Sequence, residues 1–348
     1  MTTKIDIGIL GATGIVGQEF VAALEDHPWF RIAWLAASER SAGKRYEDAA
    51  PWKLDRPIPR SIADMIVESC NPSGSPILVF SGLDSSVAGD IESEFAAAGR
   101  TVVSNARNYR MADDVPLLIP EINPEHLRLL GQQHTVRGWS GKIVTNPNCS
   151  TIVMTLALAP LTQFGLETVM VTTLQAVSGA GYPGVSSLDI LGNILPYIPG
   201  EEPKMESETQ KILGTVEADR IRPHSVVVSA QTTRVPVTNG HTALISVKLT
   251  ESPTDADVID AFRSFRGRPQ IEDLPTAPNH PIVYLDNPDR PQPKYDVHLE
   301  GGMSISVGRL RNCPVLDIKF VTLGHNTVRG AAGAAILNAE LMKVDGLI

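Results

Sequence analysis

The chain has 348 residues, more than one hydrophobic core usually supports, so its length predicts two domains. Its net charge of -9 argues against a nucleic-acid or anionic-membrane partner, because such partners require a basic face. Its three widely spaced cysteines indicate neither a disulfide framework nor a metal site. The first residues lack a signal-peptide pattern and no segment has about 18 uninterrupted apolar residues, so we expect a cytoplasmic protein that acts on small molecules.

The first part of the chain alternates strand-like and helix-like runs. "KIDIGIL" predicts a buried parallel strand, "GATGIVG" a glycine-rich turn, "IVGQEFVAALEDH" a helix that Pro28 ends, and "RIAWLAAS" a second strand. Further strand-like runs follow at "PILVF", "TVVSNA" and "KIVTN", with the helix-like "DIESEFAAAG" after the first of them. This alternation predicts an α/β domain over residues 1–150, a Rossmann-like, doubly wound dinucleotide-binding domain.

Beyond residue 150 the strand-like runs become longer. They are "ETVMVTTLQAVSG", "HSVVVSAQTTRVPV" and "HTALISVKL", and the "NG" pair at 239–240 predicts a hairpin that joins the last two. We therefore expect an α+β domain with a mainly antiparallel sheet over residues 151–324. The tail "HNTVRGAAGAAILNAELM" predicts a packed helix, and residues 325–348 are expected to complete the first domain.

Three glycines in the first turn suggest a phosphate-binding loop. Gly11, Gly14 and Gly17 give the spacing G-x-x-G-x-x-G between a predicted strand and a predicted helix. Small residues there let a pyrophosphate approach the backbone at the helix N-terminus, where unpaired N–H groups attract negative charge. The alternative is a tight turn that binds nothing.

The end of the second strand indicates which dinucleotide is bound. An NAD site usually places an acidic residue there, whereas an NADP site supplies small polar groups and an arginine for the 2′-phosphate. The segment "SERSAGK" supplies Ser38, Arg40 and Ser41, which favours NADP(H). Glu39 in the same segment is a contrary signal.

Cys149 lies between a predicted strand and a predicted helix, in the polar run "NPNCST". At a helix N-terminus the partial positive charge would stabilise a thiolate, so we expect a lowered thiol pKa. Cys70 and Cys313 lack such surroundings and are interpreted as structural. A reactive cysteine beside a dinucleotide predicts covalent aldehyde chemistry, in which a thioester forms on the cysteine.

Arg234 and His241 in "RVPVTNGH" are candidates for a carboxylate clamp and an acid/base. If the "NG" turn is a two-residue hairpin, both side chains lie on one face of the sheet. The alternative is that both are solvated hairpin residues. Glu208 and Lys211 share one face of a helix predicted at 203–214, and by themselves they would indicate only a surface ion pair.

A series of motifs along the chain resembles the aspartate-β-semialdehyde dehydrogenase family, in its archaeal and fungal branch. The motifs are "GILGATGIVGQ", "SERSAGKRY", "SNARNYRM", "VTNPNCSTIV", "LQAVSGAGYPG", "ETQKILG", "RVPVTNGH", "LPTAPNHPI", "RPQPKYD" and "HNTVRGAAGAAI". The resemblance implies NADP-dependent reduction of L-4-aspartyl phosphate to L-aspartate 4-semialdehyde and phosphate, and the reverse reaction. This step belongs to lysine, threonine, methionine and isoleucine biosynthesis. The second domain would then serve catalysis and dimerisation, and a homodimer or homotetramer is expected.

The resemblance also implies a role for individual residues. In catalysis, the family pattern assigns the nucleophile to Cys149, the general acid/base to His241, orientation of the acyl group to Gln175, and help with the oxyanion to Asn148. For the substrate it assigns the carboxylate to Arg234, the ammonium to Glu208, and the phosphate to Lys211 and Arg110. The expected cofactor contacts are Gly11, Thr13, Gly14, Ile15, Val16, Gly17, Ser38, Arg40, Ser41, Ser81, Gly179, Asn326 and Thr327. No metal is expected.

Three alternatives remain at this stage. A malonyl-CoA reductase resembles the same branch, but its substrate lacks the ammonium and the acyl phosphate that "ESETQK" would serve. An N-acetyl-glutamyl-phosphate reductase shares the fold, but "SNARNYRM" and "RVPVTNGH" fit it poorly. A non-catalytic NADP-binding regulator predicts the loss of site residues, all of which are present.

Overall fold

The computed structural model describes residues 3–348. The strands are β1 (Ile5–Leu10), β2 (Phe30–Ala37), β3 (Val67–Ser69), β4 (Leu78–Ser81), β5 (Thr101–Ser104), β6 (Lys142–Thr145), β7 (Leu166–Gln175), β8 (Thr215–Glu217), β9 (Arg220–Arg222), β10 (Val227–Arg234), β11 (His241–Leu249), β12 (Ile282–Leu285), β13 (Ile305–Asn312) and β14 (Ile318–Gly324). The α-helices are α1 (Ile15–Leu24), α2 (Tyr46–Ala49), α3 (Arg60–Ala63), α4 (Ser85–Ala97), α5 (Leu130–Arg137), α6 (Cys149–Leu158), α7 (Ser187–Ile190), α8 (Glu201–Ile212), α9 (Asp255–Ser264), α10 (Arg268–Ile271), α11 (Pro293–Asp296) and α12 (Gly333–Val344).

The first sheet has six parallel strands in the order β3-β2-β1-β4-β5-β6. This is the strand order of a doubly wound dinucleotide-binding fold, so the predicted fold class is confirmed for this part of the chain. The order reverses between β1 and β4. The carboxyl ends of these two strands therefore open the crevice in which such sheets bind their ligands.

The second large sheet has six strands in the order β10-β7-β11-β14-β13-β12. Strand β11 is antiparallel to β7 and β14, and β13 is antiparallel to β14, whereas β10–β7 and β12–β13 are parallel pairs. The sheet is mixed with mainly antiparallel pairing, as predicted.

The predicted hairpin at 239–240 is wrong, because β7 lies between β10 and β11 and pairs with both. The connecting segment is held instead by residues that follow β7 and β14. The N–H of Val177 donates to the carbonyl of Val237 at 2.8 Å, and the N–H of Gly240 donates to Oδ1 of Asn326 at 2.8 Å. These tertiary hydrogen bonds override the local turn signal, since a hairpin would require β10 and β11 to be neighbours.

Two helical segments connect the sheets. Helix α6 is buried along its length except at Cys149, and its apolar side chains share a core with the second sheet, for example Ile152 with Val169 and Phe320. Near the C-terminus, α12 packs in the core of the first sheet, where Ile336 and Leu341 join the side chains of β1 and α1. None of the helices within residues 3–348 has the length and apolarity to cross a membrane.

Candidate active site

In the turn from β1 to α1, the backbone segments lie so close together that two positions have no room for a side chain. Gly11 has φ +74°, and a Cβ there would lie 2.8 Å from the carbonyl oxygen of Gly82. A Cβ at Gly17 would lie 2.2 Å from the carbonyl oxygen of Gly11. Helix α1 begins after Gly14 without a side-chain cap, so its first N–H groups remain available to an anion. Thr13, Ile15 and Val16 complete this loop, and all three are partly buried.

The other expected cofactor residues surround the same crevice. Ser81 ends β4 and is fully buried, whereas Ser38 and Arg40 are exposed in the turn after β2, where the N–H of Ser41 donates to the carbonyl of Ser38 at 2.8 Å. Glu39 is also exposed.

A cavity of about 690 Å³ opens beside α1 and is lined from both parts of the chain, among others by Glu19, Ser178, His325 and Thr327. Thr327 donates its hydroxyl hydrogen to Glu19 Oε1 at 2.8 Å. Asn326, its neighbour in sequence, donates from Nδ2 to the hydroxyl oxygen of Ser178 at 2.8 Å. The two side chains thus tie the wall of this cavity to α1 and to the segment after β7.

Cys149 is the first residue of α6. The side chain of Asn148 caps the helix, because its Oδ1 accepts from the N–H groups of Ser150 at 3.0 Å and Thr151 at 3.1 Å. The N–H of Cys149 itself has no partner within the helix and can point at a developing oxyanion. Gly330 packs directly against Cys149. A Cβ at Gly330 would lie only 2.7 Å from Cys149 Cβ.

The expectation of a lowered thiol pKa is wrong for this structure. Burial raises the pKa of Cys149 to about 12, and the carboxylate of Glu201 raises it further. Arg110 and Arg234 act in the opposite direction but do not compensate. The partial charge of the helix N-terminus is too small to offset the removal of a thiolate from water, so Cys149 is a thiol at neutral pH.

Three adjacent strands bring Gln175, Arg234 and His241 together. Arg234 of β10 pairs with Gln175 of β7, and Leu174 pairs with Thr242 of β11, so His241 lies one position further on, beside Gln175. Paired residues in a sheet share a face, and all three side chains are buried. The side chains of Arg234 and His241 are therefore not solvated, although the hairpin that suggested their proximity is absent.

Gly179 lies directly against this row. A Cβ at Gly179 would lie 2.9 Å from Nε2 of His241 and 3.0 Å from Nη1 of Arg234. Any side chain at this position would fill the space in front of both groups. Arg234 also donates from Nη1 to the carbonyl of Ala176 at 2.8 Å, which holds its guanidinium in place.

One hydrogen bond determines which ring nitrogen of His241 carries the proton. Its Nδ1 accepts from the N–H of Ala176 at 3.1 Å, so the neutral ring carries its proton on Nε2. This buried Nε2 has no hydrogen-bond partner within residues 3–348. Burial lowers the pKa of His241 to about 3, and the charge of Arg234 lowers it further. At neutral pH the ring is therefore an uncharged proton donor.

Helix α8 contributes Glu208 and Lys211, and both are buried, so they do not form a surface ion pair. The two oxygens of Glu208 accept from Arg110 Nη1 at 2.9 Å and from the N–H of Asn148 at 2.7 Å. Lys211 Nζ donates to the carbonyls of Arg110, Ala112 and Val115 at 2.7, 2.7 and 2.9 Å. Its three hydrogens are all engaged, so Lys211 holds the loop that carries Arg110 and can reach a phosphate only if one of these bonds opens.

One residue of the site has no counterpart among the sequence predictions. Glu201, the first residue of α8, accepts at Oε1 from Asn148 Nδ2 at 2.8 Å and from Gln175 Nε2 at 3.3 Å. The sequence places Glu201 and Glu202 side by side at the start of the helix, and nothing in the pattern distinguishes the buried one. No group of three or more His, Cys, Asp or Glu side chains that could hold a metal ion occurs in the described part of the chain.

The chain matches known proteins over almost its whole length. A family described as "Semialdehyde dehydrogenase, NAD binding domain" matches residues 6–130, and one described as "Semialdehyde dehydrogenase, dimerisation domain" matches residues 158–329. The chain is 48% identical to the aspartate-semialdehyde dehydrogenase of Archaeoglobus fulgidus, with 99% of this chain and 100% of that protein covered. The chain belongs to the aspartate-semialdehyde dehydrogenase family. The enzyme of the same name from Cryptococcus neoformans is 50% identical, with 99% and 98% of the two chains covered.

Solved structures of aspartate-semialdehyde dehydrogenases share the fold. The Candida albicans enzyme, whose crystal structure contains NADP, superposes with a TM-score of 0.91 at 45% identity over 99% of this chain and 100% of that one. An enzyme of the family from Vibrio cholerae, in complex with ASA, gives a TM-score of 0.78 at 26% identity over 99% of both chains. The expected resemblance to the archaeal and fungal branch is confirmed.

Proposed function

We propose that this chain catalyses the NADP-dependent interconversion of L-4-aspartyl phosphate with L-aspartate 4-semialdehyde and phosphate, a step toward lysine, threonine, methionine and isoleucine. The observation that carries the proposal is the position of Cys149, which begins α6 beside a carboxamide cap and within the electrostatic reach of Arg110 and Arg234. Full-length similarity to enzymes of this name supports the choice of substrate.

The charged groups of the site match the substrate. Arg234 is the partner for the α-carboxylate, because its guanidinium can form two parallel bonds. Glu208 is the partner for the ammonium, and Arg110 for the phosphate. Lys211 orients the Arg110 loop and becomes a second phosphate ligand when one of its carbonyl contacts opens. Malonyl-CoA has no ammonium for Glu208, which argues against a malonyl-CoA reductase.

In the reductive direction, Sγ of Cys149 attacks the acyl carbon. The C–S bond forms, the bond from the acyl carbon to the phosphate oxygen breaks, and phosphate leaves with that electron pair. Cys149 then carries the aspartyl group as a thioester, and Gln175 orients it. NADPH, when bound, would supply the hydride for the acyl carbon. The C–S bond then breaks with its electron pair on Sγ of Cys149, which takes a proton back from His241 as the aldehyde is released. The N–H of Cys149, beside the Asn148 cap, stabilises the oxyanion at the acyl carbon.

His241 donates and accepts the protons that the reaction requires. In the tautomer held by Ala176, its Nε2–H donates to the oxygen that becomes the aldehyde or to a departing group. The thiol proton of Cys149 passes to Nε2 of His241 in the other neutral tautomer, which carries its proton on Nδ1 once the contact with the N–H of Ala176 opens. The free state described above is therefore a resting state with a neutral thiol and a neutral imidazole.

The cofactor site fits NADP(H). Side chains have no room at Gly11 and Gly17, as close approach of a pyrophosphate requires, and the exposed Arg40 would bind the 2′-phosphate. Gly11, Thr13, Gly14, Ile15, Val16 and Gly17 would hold the pyrophosphate, Ser38, Arg40 and Ser41 the adenosine end, and Ser81, Gly179, Asn326 and Thr327 the nicotinamide end. The Candida albicans relative binds NADP in its crystal structure.

The chain is further proposed to act as a homodimer or homotetramer in the cytoplasm. The outer face of the second sheet exposes Met170 by 50% and Leu244 by 42%, and Val315 in the turn between β13 and β14 is exposed by 78%. These side chains form an apolar surface suited to a second copy. Leu244→Asp would convert the assembly to monomers in sedimentation experiments, and an unchanged mass would remove this face as the interface. The two functional units proposed are residues 1–150 together with 325–348, and residues 151–324.

The test of function uses the purified protein and its Cys149→Ala variant. NADPH formation is followed with L-aspartate 4-semialdehyde, NADP⁺ and phosphate, and NADPH oxidation is followed in parallel with malonyl-CoA. Phosphate-dependent NADPH formation that disappears in the variant is expected. Turnover of malonyl-CoA alone would retain the cysteine chemistry but overturn the substrate, and NADPH binding without turnover of either substrate would indicate a regulator.

A further inference from the structure

Glu201 is a buried carboxylate at the centre of the site. It begins α8 and is 5% exposed. One oxygen, Oε1, accepts from Asn148 Nδ2 and Gln175 Nε2, and the other, Oε2, accepts from Lys204 Nζ at 3.1 Å. A carboxylate withdrawn from water in this way requires partners, and these three donors supply them.

The carboxylate determines how two carboxamides are oriented. An ionised carboxylate only accepts hydrogen bonds, so Asn148 and Gln175 must each turn their NH₂ group toward Glu201. Asn148 thereby directs Oδ1 to the first turn of α6, where it caps the helix that begins with Cys149. Gln175 also donates from Nε2 to Thr173 Oγ1 at 3.2 Å, which leaves its Oε1 for a substrate group.

Glu201 also acts on Cys149 through its charge. Its carboxylate adds to the effect of burial and disfavours a thiolate at Cys149, while Arg110 and Arg234 favour one. A change that removes only the charge of Glu201 should therefore make the thiol more acidic. A change that also removes the acceptor oxygens should in addition release both carboxamides.

We propose that Glu201 is a positioning residue that acts on Cys149 by orienting the carboxamides of Asn148 and Gln175. As a proposal about catalysis it rests on the function proposed above. Glu201 does not touch the reacting atoms. Its effect passes through the helix cap, through the orientation of the acyl group and through the electrostatic field at the thiol.

Two substitutions separate these effects. Glu201→Gln keeps an amide oxygen that can accept from both carboxamides but removes the charge, and Glu201→Ala removes both. Glu202→Gln is the matched control, because Glu202 lies next in the same helix turn and its Oε1 accepts instead from the N–H of Thr232 at 3.0 Å. For each variant, kcat, the KM values, the thermal midpoint and the pH dependence of iodoacetamide alkylation at Cys149 are measured, the last by peptide mass spectrometry.

We expect Glu201→Ala to lower kcat by about 10- to 100-fold, since small misplacements of reacting groups have effects of this size, with little change in KM for NADP⁺. Glu201→Gln should keep at least about five times more of kcat than Glu201→Ala. In both variants Cys149 should be alkylated at least about threefold faster than in the wild type near pH 8, because the carboxylate that repels its thiolate is gone. Glu202→Gln should match the wild type in every measurement.

The proposal is overturned if Glu201→Ala retains wild-type kcat, if Glu201→Gln is as impaired as Glu201→Ala, or if alkylation is unchanged in Glu201→Gln. Alkylation requires no substrate turnover. A wild-type protein without semialdehyde activity would therefore overturn the proposed function, while faster alkylation of Glu201→Gln alone would still support an action of Glu201 on Cys149.

Discussion

Gly330→Ala tests whether the position of Cys149 is set by the C-terminal segment. An added Cβ would lie 2.7 Å from Cys149 Cβ and 3.1 Å from its Cα. Carbon atoms in van der Waals contact are about 3.5–4.0 Å apart, so the cysteine or the segment around Gly330 must move by about 1 Å. A misplacement of about 1 Å at a reacting group costs on the order of 100-fold in rate, which corresponds to about 2.7 kcal/mol in the activation barrier.

We therefore expect Gly330→Ala to lower kcat for NADPH formation by about 100-fold, with KM for NADP⁺ within about twofold of the wild type. Gly131→Ala in α5 is the control, because nothing lies within 4 Å of its added Cβ. This control should retain full activity and gain about 0.5–1 kcal/mol in stability, as glycine does when replaced in a helix. A folded Gly330→Ala protein with kcat within about twofold of the wild type would refute the proposed fit.

The remaining predictions concern binding, acidity and stability. Arg40→Ala should raise KM for NADP⁺ by about tenfold or more and leave that for NAD⁺ unchanged; equal changes for both cofactors would place the 2′-phosphate elsewhere. Because the pKa of Cys149 is raised to about 12, its thiolate fraction should grow about tenfold per pH unit from about pH 7 to about pH 10. A plateau in alkylation rate below about pH 9 would contradict this. Lys211→Met leaves three carbonyls without their donor, so its thermal midpoint should fall by about 5–10 °C, and an unchanged midpoint would show that these contacts contribute nothing.

Much of the fold follows from local patterns in the sequence. The run from β1 through Gly11 and Gly17 to α1 could be predicted because periodicity changes there from strand to helix and glycines mark a turn that admits no side chain. Cys149 could be found in the same way, since a strand-like run, a polar cap and a helix-like run enclose it. In both cases the signal lies within about twenty residues of the feature.

The predictions that were wrong or missing concern features that depend on residues distant in the sequence. The "NG" signal at 239–240 predicted a hairpin, but β7, which precedes this turn by more than sixty residues, pairs with both flanking strands. The thiol pKa depends on how far the folded protein withdraws Cys149 from water and on the charges around it, which no local pattern reports. Glu201 could not be identified from the sequence for the same reason, because only the tertiary structure brings it to Asn148 and Gln175.

The central claim is that catalysis passes through an acyl group on Cys149, and the most direct measurement is a single turnover without phosphate. The protein is mixed with L-aspartate 4-semialdehyde and NADP⁺, and NADPH is recorded while quenched samples are mapped by peptide mass spectrometry. If catalysis passes through this acyl group, one NADPH per active site and one aspartyl group on the peptide that contains Cys149 are expected. A burst without a modified peptide, or an aspartyl group on the peptide of Cys70 or Cys313, would contradict it.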